Sequence, residues 1–108
     1  IKCLVQINID KEKTKSGIVI EEVENFLSDL SELKKIRVCG LMIIPNPNFE
    51  ESCLQERFKK IKNLSVKLLK NNENLTEISM GMSRDFELAI KEGSTIVRLG
   101  ETIFGARN

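Results

Sequence analysis

Short apolar runs alternate with longer amphipathic stretches along the whole chain of 108 residues. The first run, residues 3–9, is rich in β-branched side chains and passes into a polar stretch, which is typical of a buried strand followed by a loop. Residues 36–44, 75–80 and 95–99 have the same character, and the sequence Pro-Asn-Pro-Asn at 45–48 ends the second of these runs. The pattern therefore predicts four strands.

Between these runs the apolar positions recur at spacings of three and four, which predicts amphipathic helices. The stripe of the first helix comprises Val19, Val23, Phe26, Leu27, Leu30 and Leu33. The stripe of the second helix, predicted from Glu50 to about Asn71, comprises Leu54, Phe58, Ile61, Leu64 and Leu68. A short helix is predicted over 84–91, with Ser83 as its N-cap and Gly93 closing it. A last short helix or turn is predicted from Gly100 through Phe104.

Strands that alternate with helices predict an α/β protein with a parallel sheet and right-handed crossovers. Four such units leave two sheet edges open, so half of an eight-stranded TIM-type (β/α)8 barrel is the favoured fold. A flavodoxin-like open sheet is the alternative. Residues 1–108 are expected to form a single unit. Because the chain opens at Ile1 inside an apolar run, we expect a piece of a longer protein.

Composition narrows the possible functions. Seventeen Lys plus Arg against sixteen Asp plus Glu give a net charge of +1, so no long-range field favours nucleic acid or an anionic membrane. The lysines of the second helix could suggest nucleic-acid binding, but a solvated helix face is favoured because acidic residues balance them. No apolar stretch of about 18 residues occurs, so no membrane span is predicted.

The chain contains no His, Trp or Tyr, which excludes Ser-His-Asp triads and His-ligated zinc. Its three cysteines, Cys3, Cys39 and Cys53, are widely spaced and form no CxxC motif, so neither a disulfide framework nor a metal site is indicated. We expect small buried apolar residues there rather than nucleophiles. A reducing cytoplasm is the expected location.

Two strand ends could hold a phosphate, because backbone N–H groups at a strand-to-helix loop bind anions. At 79–83, Ser-Met-Gly-Met-Ser, Gly81 would let a ligand approach the backbone and the Ser83 hydroxyl would point outwards; a plain capped turn is the alternative. At 97–102, Arg98 and Gly100 end a strand before a fresh helix start. A surface ion pair is the alternative explanation for Arg98.

The same segments carry a family resemblance. The pattern Ser-Met-Gly-Met-Ser-x-Asp-x-x-x-Ala-Ile-x-x-Gly-Ser-Thr-x-Val-Arg-x-Gly-x-x-Ile-Phe-Gly, from Ser79 to Gly105, closely resembles the C-terminal signature of the pyridoxal phosphate homeostasis proteins of the YggS/PROSC type. Lys15-Ser16-Gly17 and residues 40–45 extend the resemblance over nearly the whole chain. It implies a barrel similar to that of alanine racemase, of which this chain would be the C-terminal half. It also implies pyridoxal phosphate (PLP) as cofactor.

The resemblance assigns a role to each candidate residue. Ser83 occupies the position of the phosphate-contacting serine, and Gly100 with the N–H groups after it matches the rest of the phosphate cup. Arg98 occupies the position of the arginine that faces the pyridine nitrogen. Glu101 stands where a small hydroxyl residue is frequent, so it would contribute only its N–H, and Thr102 would supply a hydroxyl instead. Neither a catalytic residue nor a metal site is expected.

The resemblance places the Schiff-base lysine on the first barrel strand, in the part that this chain lacks. It also implies a non-catalytic carrier or regulator of the intracellular cofactor pool, with PLP-dependent apoenzymes as conceivable partners. An arginine against the pyridine nitrogen disfavours ring protonation and so suits binding more than carbanion chemistry. Two alternatives remain open: a PLP-dependent racemase-like enzyme on the same fold, and an inactive truncated fragment.

Overall fold

The computed structural model describes residues 2–12, 16–46 and 48–98, which form four strands alternating with three α-helices. The elements are β1 (Lys2–Gln6), α1 (Val23–Leu30), β2 (Arg37–Met42), α2 (Glu51–Leu69), β3 (Glu77–Met82), α3 (Phe86–Lys91) and β4 (Ile96–Arg98). A 3-10 turn, Ile20–Glu22, leads into α1. The strands pair in the order β1-β2-β3-β4, and every pair is parallel. The predicted alternation of parallel strands with helices is confirmed.

One face of the sheet carries the core. Val5, Leu41 and Ile78 lie in register across β1, β2 and β3, and all three are buried. The apolar stripes of the helices supply the other side of the cluster, and their buried members are Val23, Leu27, Leu54, Phe58, Ile61, Leu68 and Ala89. Phe58 and Ile61 are fully buried, and each such side chain contributes about 2 kcal/mol to stability.

The opposite face of the sheet carries a second row of registered residues, Gln6, Met42, Ser79 and Ile96. Side chains alternate along a strand, so Arg98 projects to this same face. Three apolar side chains are substantially exposed towards the carboxyl end of the sheet: Ile44 (38%), Met82 (44%) and Ile96 (38%). In a closed barrel this face would line the lumen.

Hydroxyl groups hold β4 against β3, because the register of this pair shifts between Ser79 and Met82. The Thr95 hydroxyl accepts a hydrogen bond from the N–H of Ile78 at 2.8 Å. The Ser94 Oγ lies 2.7 Å from the carbonyl oxygen of Met80 and 2.9 Å from that of Ile96. Side-chain hydrogen bonds thus replace part of the backbone hydrogen bonding that joins the other strands.

Several predicted boundaries are wrong. Leu75 is buried, but its N–H donates to the carbonyl of Asn72 in a turn, and β3 begins only at Glu77. An apolar side chain can thus be buried although its residue does not belong to a strand. Leu33 was expected in the buried stripe of the first helix; α1 ends at Leu30, and Leu33 is half exposed.

Ser83 is not the N-cap of α3. The helix begins at Phe86, and Asp85 is its N-cap. Asp85 and Met82 are also the two ends of a turn that two hydrogen bonds close. The N–H of Met82 donates to Asp85 Oδ1 at 2.6 Å, and the N–H of Asp85 donates to the carbonyl of Met82 at 3.0 Å. Ser83 therefore occupies the second position of a turn that precedes the helix. The final helix predicted at 100–104 lies outside the described residues.

Gly40 lies in the first residue pair between β2 and β3. It pairs with Glu77, and a Cβ placed on Gly40 would collide with the backbone carbonyl of Glu77. A side chain at this position must push the two strands apart, because a backbone atom cannot rotate away as a side chain can.

We expect Gly40→Val to lower the free energy of unfolding by about 1–3 kcal/mol, the usual cost of forcing extra atoms into a packed site. Urea unfolding of the full-length protein measures this, with Arg37→Val, at an exposed position of the same strand, as the control. Equal stability of the two variants would contradict the strand spacing described here.

Candidate functional site

A cleft of about 1100 Å³ opens at the carboxyl ends of β2, β3 and β4. Its walls come from the loop after β2, the start of α2, the turn after β3 and the end of β4. The lining residues are Ile44, Pro45, Phe49, Glu51, Leu54, Met82, Ser83, Arg84, Asp85, Phe86, Glu87, Leu88 and Arg98. Seven of these residues are apolar and six are polar or charged, so the cleft combines an apolar wall with groups that could orient a small molecule.

Arg98 places a cation in this cleft. Its Nη2 donates a hydrogen bond to the carbonyl oxygen of Ile43 at 3.0 Å, so the side chain reaches across β3 to the end of β2. Burial lowers the pKa of the Arg98 guanidinium from its ordinary value, and the negative charge of Asp85 acts in the opposite direction. An arginine remains charged through such a shift.

The Nε of Arg98 is buried and has no hydrogen-bond partner among the residues that the structure describes. A buried donor without an acceptor costs about 1–3 kcal/mol, and native proteins seldom leave one. A ligand with an acceptor atom would satisfy this donor. The guanidinium of this cleft-lining residue therefore has an N–H donor that no described residue satisfies.

Ser83 lies in the same cleft, on the turn that Asp85 closes. Gly81 stands directly before this turn with a φ of +101°, and a Cβ there would come within 2.6 Å of the Cβ of Ala89. Backbone conformation and packing against α3 thus both require glycine at this position. That Gly81 also admits a ligand to the backbone stays a prediction.

Of the six predicted site residues, Ser83 and Arg98 are brought together in the cleft, and Gly81 adjoins it. The predicted residues Gly100, Glu101 and Thr102 lie outside the described ranges. The alternative explanation for Arg98, a surface ion pair, stays a hypothesis; among the described residues the guanidinium donates to the carbonyl of Ile43.

The sequence analysis missed the loop after β2. Pro45 and Phe49 line the cleft, and the Phe49 ring is stacked by the guanidinium of Arg57, whose central carbon lies 4.1 Å from the ring centre. A signal for this loop was present, because loops at the carboxyl ends of parallel strands hold ligands in α/β folds. The Pro-Asn-Pro-Asn sequence predicted only the end of a strand.

Other chemistries find little support. The described part of the chain contains no cluster of three or more Cys, Asp or Glu side chains that could hold a metal ion. The cysteines are partly exposed rather than buried as predicted, and none of them lines the cleft. Within the described ranges, no helix is long and apolar enough to cross a membrane.

Comparisons with known proteins agree with the resemblance seen in the sequence. The chain is 40% identical over 111 residues to the pyridoxal phosphate homeostasis protein of Escherichia coli K12, and 39% identical over 105 residues to that of Aquifex aeolicus. These alignments cover 100% and 96% of this chain but 46% of each relative. The chain thus spans about half the length of the curated relatives it matches.

Solved structures give the same result. PipY of Synechococcus elongatus, 30% identical, superposes with a TM-score of 0.84 in its structure without PLP and 0.77 in its structure with PLP bound. Each match covers 91% of this chain and 46% of PipY. The predicted fold class, a parallel α/β arrangement of the barrel type, is confirmed.

The family described as "Alanine racemase, N-terminal domain" matches residues 1–108, the whole of the sequence. The order of the strands, the cleft at their carboxyl ends and the cation within it all accord with this match. The chain therefore belongs to the alanine racemase N-terminal domain family.

Proposed function

We propose that the protein containing this chain binds PLP in the cleft and serves the intracellular homeostasis of the cofactor as a carrier or regulator, without catalysing a reaction on it. The buried, unpartnered Nε of Arg98 carries this proposal, since it requires an acceptor that the described residues do not supply. The names of the relatives and the PLP-bound structure of PipY support it.

The residues of the cleft fit such a cofactor. Ser83 would donate its hydroxyl to the phosphate, and the N–H groups from Gly100 to Thr102, including that of Glu101, would complete the phosphate cup. Arg98 would donate to the pyridine nitrogen. Bound PLP is a stronger electron sink when its ring nitrogen is protonated, and Arg98 would donate a hydrogen bond without giving up its proton, which weakens that sink. A site with this donor favours binding over carbanion chemistry.

A racemase-like enzyme is the second candidate, favoured by the name of the matching family. Racemisation needs a second acid/base, on the opposite face of the substrate from the lysine that holds the cofactor. The sequence has neither His nor Tyr, and the three cysteines lie away from the cleft. An assay of amino-acid racemisation with PLP-loaded protein distinguishes the candidates, and turnover above the rate of free PLP would favour the enzyme.

We further propose that this chain is the C-terminal half of a PLP-binding barrel domain, because the Ser79–Gly105 pattern resembles a C-terminal signature. The sheet ends in β1 and β4, whose outer edges could pair with the strands of the other half. The lysine that holds the cofactor would lie there. A cytoplasmic location and delivery to PLP-dependent apoenzymes belong to the same proposal. The mass of the native protein tests the alternative of an inactive truncated fragment.

Direct binding is the first test. We expect the purified full-length protein to retain about one PLP per chain in equilibrium dialysis, because a single cleft holds the donors described above. Retention no greater than that of an unrelated protein without a PLP site would overturn the proposed function.

Ser83→Ala should weaken PLP binding by about 1–3 kcal/mol, the range for removing one hydrogen bond to a charged group. Folding should survive, because Ser83 is not the cap of α3. Equilibrium dialysis gives the affinity and a thermal melt reports folding, with Ser28→Ala, exposed on α1, as the matched control. Unchanged affinity in a folded variant would leave Ser83 with a role in the turn alone.

Arg98→Gln should lower the affinity for PLP and for pyridoxal by similar factors, if Arg98 faces the ring nitrogen that both ligands share. If Arg98 instead binds the phosphate, the wild type should prefer PLP strongly and the variant should lose that preference. Parallel titrations of both proteins with both ligands separate these roles. Unchanged affinity for both ligands would show that Arg98 contacts neither group.

A further inference from the structure

Three side chains form a continuous path from the loop after β1 to the wall of the cleft. Arg57, on α2, donates from Nε to Oδ1 of Asp10 at 2.7 Å. Its Nη1 donates to the carbonyl of Cys53 at 3.0 Å, and its guanidinium carbon lies 4.1 Å from the centre of the Phe49 ring. Phe49 in turn lines the cleft.

The ion pair within this path is well shielded from water, since the side chains of Arg57 and Asp10 are only 24% and 19% exposed. An exposed ion pair contributes little to stability. Partial burial strengthens both the ion pair of Arg57 with Asp10 and the contact of Arg57 with the Phe49 ring. Only a planar guanidinium can make the carboxylate bond, the carbonyl bond and the ring contact together.

Both loops that Arg57 connects are ordered by their own hydrogen bonds. After β1, Asn8 Oδ1 accepts from the N–H of Glu12 at 3.0 Å and Asn8 Nδ2 donates to the carbonyl of Glu12 at 2.7 Å. After β2, the N–H of Phe49 donates to the carbonyl of Asn46 at 3.2 Å. Arg57 therefore contacts a residue in each of the two loops at the carboxyl ends of β1 and β2.

We infer that Arg57 is a positioning residue for the ligand, which fixes the Phe49 ring as a wall of the cleft while Asp10 holds the guanidinium in place. Arg57 does not line the cleft itself and acts through Phe49. The inference rests on the proposed function, because it takes PLP as the ligand whose binding Phe49 shapes.

The test measures the affinity of the full-length protein for PLP in the wild type, Arg57→Met, Phe49→Leu and the double variant. Arg57→Met should weaken binding about three- to tenfold, the scale of one partly shielded cation–π contact. In the Phe49→Leu background the same change should have almost no effect, since coupled residues are not additive. A merely structural role of Arg57 would weaken binding equally in both backgrounds.

Lys59→Met, on the exposed face of α2, is the matched control for loss of a positive charge and should bind PLP as the wild type does. If Arg57→Met fails to fold in a thermal melt, Asp10→Asn removes the carboxylate instead and should weaken binding in the same direction, also only when Phe49 is present. Wild-type affinity in the folded variants would overturn the inference alone. Failure of the wild type to bind PLP would overturn the proposed function and this inference with it.

Discussion

Parallel pairing is the constraint on which the rest of the structure depends. When every strand runs in one direction, each connection must return along the outside of the sheet, and the carboxyl ends of all strands meet at one edge. Arg98 can therefore bond to the carbonyl of Ile43, 55 positions earlier in the chain. The core on the helix side supports this edge and reaches it at Leu54, which is buried in the core and also lines the cleft.

Asp85 connects the two predicted site residues that line the cleft, Ser83 and Arg98. Its carboxylate closes the turn that carries Ser83, and its charge favours the protonated form of the Arg98 guanidinium. One acidic residue thus shapes the backbone on one side of the cleft and offsets part of the desolvation of the cation on the other. Among the described residues, the guanidinium is thus held in the cleft by a hydrogen bond to a carbonyl and by the nearby charge of Asp85.

Periodicity predicted the helix faces that are buried, except at the end of the first stripe, where Leu33 is half exposed. The stripe that includes Phe58 and Ile61 is buried as predicted, and the order of strands and helices follows from it. Prediction failed where polar groups compete for the same backbone atoms. Ser83 and Asp85 are both common capping residues, and nothing local shows that Asp85 takes the N-cap position while its carboxylate binds the N–H of Met82.

Long-range contacts set the other limit on what the sequence could show. The loop after β2 contains an aromatic residue, Phe49, which lines the cleft. The contact of its ring with Arg57, and the bond from Arg57 to Asp10, 47 positions away in the sequence, can be seen only in the folded structure. No pattern within a window of the sequence contains such a pair. The family resemblance predicted roles for Arg98 and Ser83, because both residues lie in its motif. Arg57 lies outside the motif, so the resemblance predicted no role for it.

The junction between β3 and β4 gives the site a means of adjustment. Ser94 has one hydroxyl proton, yet the carbonyls of Met80 and Ile96 both lie within reach of it, so it can donate to only one of them at a time. Substitution at residues 94 or 95 removes hydroxyl bonds of this junction but leaves the backbone bond from the N–H of Thr95 to the carbonyl of Ile78. Arg98 sits at the end of β4. Evolution could therefore retune the reach of this cation by small changes at residues 94 and 95 without rebuilding the sheet.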